Sequence, residues 1–432
     1  MRNLTLTERL SPILCRPISE VDRRRAALLF LDWTGCAVAG QVEPSGQKMT
    51  AAFKEETGPC SRIGTGPSSP LMAALHNGAL GNVLEMDDVD RQAVLHAAPT
   101  IIPAALSVAE YVGADPDKFL NAIVVGYEAT IRIGRAVGAG HYAFWHNTAT
   151  CGPFGAAAAA CYLLENSDLV SALGLAGTQA AGLWQTRHEP DSMAKQLHAG
   201  HAAHAGVLAA LLSVQGFQGP KSILEGEQGF FRAMCPGADP EDILANPKAE
   251  WLLHETSLKP YPACRHAHPA IDAALKAFNE LGASDSDVLV ETYADAIKFC
   301  DRPNPQSTIE AKFSLQHSVA LALTKGVPVL SDFEPDVVGG PLKALRARVS
   351  VKETDAFSGA YPKHYGASVT LYGKTYTAHD AYGDPEVPMS ENAVKDKAIG
   401  LMTHAGMRAK DAERLAQAAL ESDLIKYLSL LP

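Results

Sequence analysis

From about residue 19 to 250 the apolar positions recur at helical spacing, and after Lys259 the pattern changes. Ser19-Glu20-Val21-Asp22 reads as a capping box, with the Ser19 hydroxyl accepting from first-turn amides. The apolar run Ala26 to Ala39 behind it predicts a buried helix. Asp115-Pro116 marks a second start, and Leu120, Ile123, Val124 and Tyr127 follow on one helical face. Gly155 to Ala160 is almost all alanine, and Gly174, Gly177 and Gly182 punctuate another stretch read as helical. Small residues at this density let helices approach closely.

Beyond Lys259 the period shortens. Val288 to Tyr293 is β-branched and aromatic. Leu345 to Lys352 alternates strictly, and Ala367 to Thr377 alternates around a Tyr372-Gly373-Lys374 turn. Asp272 to Leu281 and Leu315 to Leu323 read as helices between these strands. Helical spacing returns from Ser390, with Asp411 to Leu420 and Glu421 to Leu430. The predicted fold class is mainly α: a large all-helical domain, residues 1–257 and 394–432, with a smaller α+β lid domain, residues 258–393, inserted.

Composition narrows the function. The 432 residues carry a net charge of −11, which argues against nucleic acid or an anionic membrane as partner. No run reaches the roughly 18 uninterrupted apolar residues of a membrane span. Met1 to Thr7 has no apolar core of a signal peptide. The eight cysteines are scattered without a CxxC pair, which fits free thiols in a reducing cytoplasm.

Against this acidic background, His and Lys residues stand in small, apolar, Gly-rich sequence: His96, His146, Lys195 with His198, and Lys259 with Arg265, His266 and His268. Cations in apolar surroundings need a counter-charge. A group of them suits a substrate with two or more carboxylates. Glu85-Met86-Asp87-Asp88-Val89-Asp90 precedes His96. Its spacing is wrong for a calcium loop. It reads either as a solvated acidic loop or as carboxylates that orient an imidazole. His198, His201 and His204 drift around a helix at i, i+3, i+6, and no HExxH is present, so no metal is expected. Gly64-Thr65-Gly66 is too short for a dinucleotide fingerprint, and Walker A and GxSxG sequences are missing, so no cofactor is expected. Two prolines stiffen Lys259-Pro260-Tyr261-Pro262.

Four segments, in this order, resemble the MmgE/PrpD family, which contains 2-methylcitrate dehydratase, cis-aconitate decarboxylase and iminodisuccinate epimerase. They are Glu85 to His96 with Pro103-Ala104, His146-Asn147-Thr148-Ala149-Thr150-Cys151-Gly152, Lys195-x-Leu197-His198-Ala199-Gly200, and Lys259-Pro260-Tyr261-Pro262. Glu85, Val89, His201, His204 and His317 depart from the family's usual residues, and Ala97-Ala98 follow His96 in place of Pro-Ser. The resemblance implies a helical domain plus an α+β lid, a homodimer, and an active site between the domains. It implies a cofactor-free lyase, dehydratase or decarboxylase, acting on a polycarboxylic acid; an isomerase or epimerase of a related dicarboxylate is the alternative. Each reaction passes through negative charge beside a carboxylate, which fixed cations stabilise. His96 and His146 are the acid–base candidates, with Asp87 and Asp88 orienting them. Lys195, Lys259 and Arg265, with His198, His266 and His317, are the candidates for holding substrate.

Overall fold

The computed structural model describes residues 4–189 and 191–432; Met1-Arg2-Asn3 of the amino-terminal stretch read above lie outside them. The chain is mainly helical and divides into two compact units, Met1–Thr256 with Ser390–Pro432, and Ser257–Met389. The helical part resumes at Ser390 because its hydroxyl caps the helix Glu391–His404 through the amide of Ala393. The expected boundary at 393/394 would cut that helix in its first turn.

In the first unit the helices that carry the site and its supports are α1 (Glu20–Gly40), α2 (Pro70–Gly81), α3 (Ala98–Val112), α4 (Pro116–Ala136), α5 (Asn147–Leu163) and α6 (Ala194–Val214). The start signals act as read. Ser19 and Asp22 form a capping box on α1, and the Asp115 carboxylate accepts from the Lys118 amide at 2.9 Å ahead of Pro116. Small residues bring the helices together. A Cβ on Gly200 of α6 would lie 2.3 Å from the carbonyl oxygen of Leu75 on α2, and one on Gly206 would lie 2.3 Å from Ala156 Cβ on α5. Two helices, Ala409–Leu420 and Leu424–Leu430, close the chain, separated at Ser422 by a left-handed residue.

Three expectations for this unit need correction. A hairpin, Cys60–Arg62 against Thr65–Ser68, interrupts the helices; strands of three and four residues are too short to show alternation. Between Val214 and Ser257 only short turns follow, such as Phe230–Met234 and the 3₁₀ turns Pro240–Leu244 and Leu252–Glu255. Gly182 lies outside the helix that holds Gly174 and Gly177. In addition, α6 is long and apolar enough to cross a bilayer, although it packs among its neighbours and is over half buried. Its three histidines broke the apolar run without removing the apolar average.

The second unit holds a four-stranded sheet of β1 (Val288–Thr292), β2 (Val349–Glu353), β3 (Ala367–Leu371) and β4 (Lys374–Ala378), in the order β2-β1-β3-β4. The β1/β2 pair is parallel and the others are antiparallel. Tyr372 and Gly373, both at positive φ, make the tight turn between β3 and β4. The helices His268–Leu281 and Leu315–Lys325 share one apolar core with Val288, Val290 and Val369. The strand expected from Leu345 begins only at Val349. Leu342 to Arg346 is a helical turn whose Leu342 and Leu345, three apart, enter that core.

Candidate active site

The acidic run is not a solvated loop. Glu85, Asp87, Asp88 and Asp90 are all at most 5% exposed, in the connection between α2 and α3. The connection is strained: Glu85 and Val94 adopt φ of 61° and 50°, backbone that such residues take only when contacts hold it. The contacts are present. Asn82 donates to Oδ2 of Asp87 at 2.6 Å, and Asp88 accepts from the Ala98 amide at 2.9 Å and from the Tyr127 hydroxyl at 2.8 Å. Arg135 of α4 grips Asp90 at 2.6 Å. Burial, more than any neighbour, pushes the Asp88 carboxyl up to about 7. Asp88 is thus a buried brace for the loop.

His96 closes this loop. Its Nδ1 lies 2.7 Å from the carbonyl oxygen of Asp88 and 3.1 Å from Oδ2 of Asp87. Both are acceptors, so Nδ1 carries the ring proton and Nε2 is left outside these bonds. The His96 amide donates to the Thr148 hydroxyl at 3.0 Å, tying the loop to the first turn of α5.

His146 is the N-cap residue of α5 and is 2% exposed. Its amide donates to the Gly182 carbonyl at 2.9 Å. Gly182 has φ of 138°, and a Cβ there would lie 2.4 Å from that of Ala149, so only glycine fits. The ring packs on Trp184, centroids 4.4 Å apart, and its Nδ1 meets Nδ1 of His198 at 3.3 Å. One of the two nitrogens must donate, so a proton is shared between the rings. Burial, then the charges of Lys195 and of the neighbouring histidines, hold His146 well below the usual histidine range. Burial likewise lowers His198, His201 and His204. Lys195 stands in the first turn of α6, and its ammonium pairs with Glu85.

The helical unit therefore brings together Asp87, His96, His146, Lys195 and His198. The pattern of residues missed Asn82, Tyr127, Thr148 and Trp184. Thr148 alone carried a signal, since it lies inside the His146 motif.

The α+β unit treats its candidates differently. Lys259 is 2% exposed in the stiff segment, which Tyr261 anchors by donating to Asp272 at 2.7 Å. Arg265 is buried against Asp384 and also donates to the Tyr382 carbonyl at 3.1 Å. Ser257 donates to the same Asp384 at 2.6 Å. His266 bonds to the Tyr293 hydroxyl at 2.8 Å between the rings of Phe299 and Tyr365, which lie 5.2 and 5.4 Å away. Burial chiefly, with the cations Lys259 and Arg265 adding against Asp295, pushes His266 down to about 4. His317 is fully buried; its Nε2 faces the Asp332 carbonyl at 3.0 Å and its Nδ1 accepts from Arg346 at 3.2 Å. With both nitrogens engaged it has no edge left for substrate, which corrects the expectation for it. Among the described residues, one group offers metal-ligand atoms within 4.8 Å of one another: His364, Asp380 and Glu386 of this unit. His364 already faces Asp380 at 2.8 Å.

Taken by its parts, the chain is a helical unit with a buried acid–base cluster, plus an α+β unit that carries a held lysine. The chain belongs to the MmgE/PrpD family: residues 10–243 match the family's N-terminal domain and residues 261–422 its C-terminal domain. It is similar to cis-aconitate decarboxylase of Aspergillus terreus, 32% identical over 272 residues, which are 58% of this chain and 55% of that protein. It is also similar to human cis-aconitate decarboxylase, 27% identical over 387 residues, 84% of this chain and 76% of the relative. The first of these matches spans little more than half the length of its relative.

Proposed function

We propose that the protein is a cofactor-free carboxy-lyase acting on a small polycarboxylic acid of the cis-aconitate class. The observation that carries this reading is the cluster of His96 on Asp87, His146 on His198, and Lys195 on Glu85 in one unit. The decarboxylase relatives support it.

In such a reaction the bond to one carboxylate carbon breaks and carbon dioxide leaves. The electron pair enters the carbon skeleton beside a remaining carboxylate, and a proton adds to the carbon that receives the pair. Fixed cations stabilise the developing charge. We assign Nε2 of His96 as proton donor, with Asp87 balancing its charge through Nδ1. Lys195 holds a remaining carboxylate, exchanging part of its bond to Glu85 for one to substrate. The neutral His146–His198 pair offers hydrogen bonds without adding a second fixed charge. The substrate-holding role that the family resemblance implies for Lys259 is part of the proposal. Arg265 is given a structural task, since its charge is met by Asp384.

The test is incubation of the purified protein with cis-aconitate and with other di- and tricarboxylates in deuterium oxide, following carbon dioxide and product mass. One carbon dioxide per acid consumed, with one solvent deuteron in the product, is expected. A product differing by water would make the enzyme a hydro-lyase. A product that keeps every carbon and oxygen of the substrate and gains only one exchanged deuteron would make it an isomerase.

A further inference from the structure

A buried lysine from near the chain's end reaches the loop that carries Asp87. The helix Glu391–His404 lies against α1, where a Cβ on Gly35 would be 2.8 Å from Ala398 Cα. That close approach puts Lys397, the neighbour of Ala398, beside Asp32, one turn before Gly35. Lys397 Nζ lies 2.7 Å from Oδ1 of Asp32 and 2.7 Å from the carbonyl oxygen of Met86. The Met86 carbonyl belongs to the peptide group that Asp87 completes. Both side chains are at most 5% exposed.

We propose that Lys397 is a positioning residue for the acid–base pair: it fixes the Met86–Asp87 peptide, and through it the Asp87 carboxylate that orients His96. This rests on the decarboxylase reading for its kinetic arm only. Burying a lysine and an aspartate is poor value as stability alone, because desolvation offsets most of their attraction. The second bond of Lys397, to a main-chain carbonyl beside a catalytic candidate, is what a merely structural pair would not need. Burial alone would favour a neutral lysine; the facing Asp32 carboxylate outweighs it and holds the ammonium above the usual lysine range. Asn82 approaches Asp87 from its own loop, so Asp87 is held from the side-chain end by Asn82 and from the main-chain end by Lys397.

The experiment compares wild type with Lys397→Met, Lys397→Arg and the charge-free double variant Asp32→Asn/Lys397→Met. Two readouts are used: steady-state kinetics on whichever acid is turned over, and the NMR pH titration of the His96 ring. Lys397→Met is expected to lower kcat by about 10²-fold while KM stays within about threefold, as small misplacements of reacting groups do. The His96 titration is expected to move in the same variant, and Lys397→Arg to recover part of both. The double variant is expected to melt close to wild type yet keep the kinetic defect, so it serves if the single variant does not fold. Wild-type kcat and an unmoved His96 titration in a folded variant would overturn the proposal. If no acid is turned over by wild type, the decarboxylase reading fails by itself, and the His96 titration still decides the role of Lys397.

Discussion

The two units use the same residue types to opposite ends. In the helical unit, Asp87, His96, His146, His198 and Lys195 face one another, and each imidazole keeps a nitrogen outside the bonds that hold it. In the α+β unit, Arg265 is cancelled by Asp384, His266 is enclosed by aromatic rings, and His317 is bonded through both nitrogens. A cation in apolar sequence is therefore not by itself a sign of substrate. What separates the two cases is that the groups of the helical unit meet one another, whereas Arg265, His266 and His317 are each taken up by separate partners.

The sharpest way to break this comparison is His96→Asn. It keeps hydrogen bonding to the loop but removes Nε2, the assigned proton donor, so the rate should fall by roughly 10²- to 10⁴-fold. A near-normal kcat would move the proton donor elsewhere in the cluster. Arg265→Met probes the other side. It leaves Asp384 buried without its partner, and about 3–5 kcal/mol of stability should be lost. Chemical denaturation followed in the α+β unit reads this; a fall in kcat/KM with unchanged stability would instead place Arg265 on substrate.

Lys195→Ala comes next. Removing one member of a buried charge pair should cost about 2–5 kcal/mol in kcat/KM on the productive acid. Equal kinetics in the variant, with an unchanged circular dichroism spectrum, would return Lys195 to a structural pair with Glu85. The smallest effect concerns pH. His317 is pushed down to about 4, by burial first and then by Arg346. Its folded value lies below that of the unfolded chain, near 6.5, so the folded state resists protonation. The stability it contributes is complete above about 6.5 and is lost as pH falls from there toward 4, at about 1.4 kcal/mol per pH unit. Asp88, raised to about 7, acts with the opposite sign over that range. Melting temperatures from pH 7 to 5 should therefore fall less steeply in His317→Gln than in wild type, and equal slopes would contradict the assignment.

Much of this was legible in the chain. Ser19, Asp115 and the Tyr372-Gly373 turn act locally, through bonds to residues two to four positions away, so their signals survive without tertiary context. The pairing of His96 with Asp87 lay within one loop and was likewise readable. The burial of that loop was not, because a run of carboxylates looks solvated until distant groups such as Tyr127 and Arg135 are seen to receive them. The alternation from Leu345 misled for a related reason: Leu345 lies in a helical turn begun at Leu342, three residues earlier, and both enter the core there, which only the tertiary packing reveals. Partners far apart in sequence, such as Lys195 with Glu85, leave no trace in local pattern.

The contact at Gly200 limits how this helical unit can vary. Its Cα rests on the carbonyl of Leu75, five residues from Lys195, with no room for a methyl group. The spacing between α2 and α6 is thereby a fixed gauge, and Lys195 is delivered to Glu85 at a depth that repacking cannot adjust. Variation on such a frame falls to side chains, at positions such as Glu85, Val89, His201 and His204, and not to the spacing of the helices.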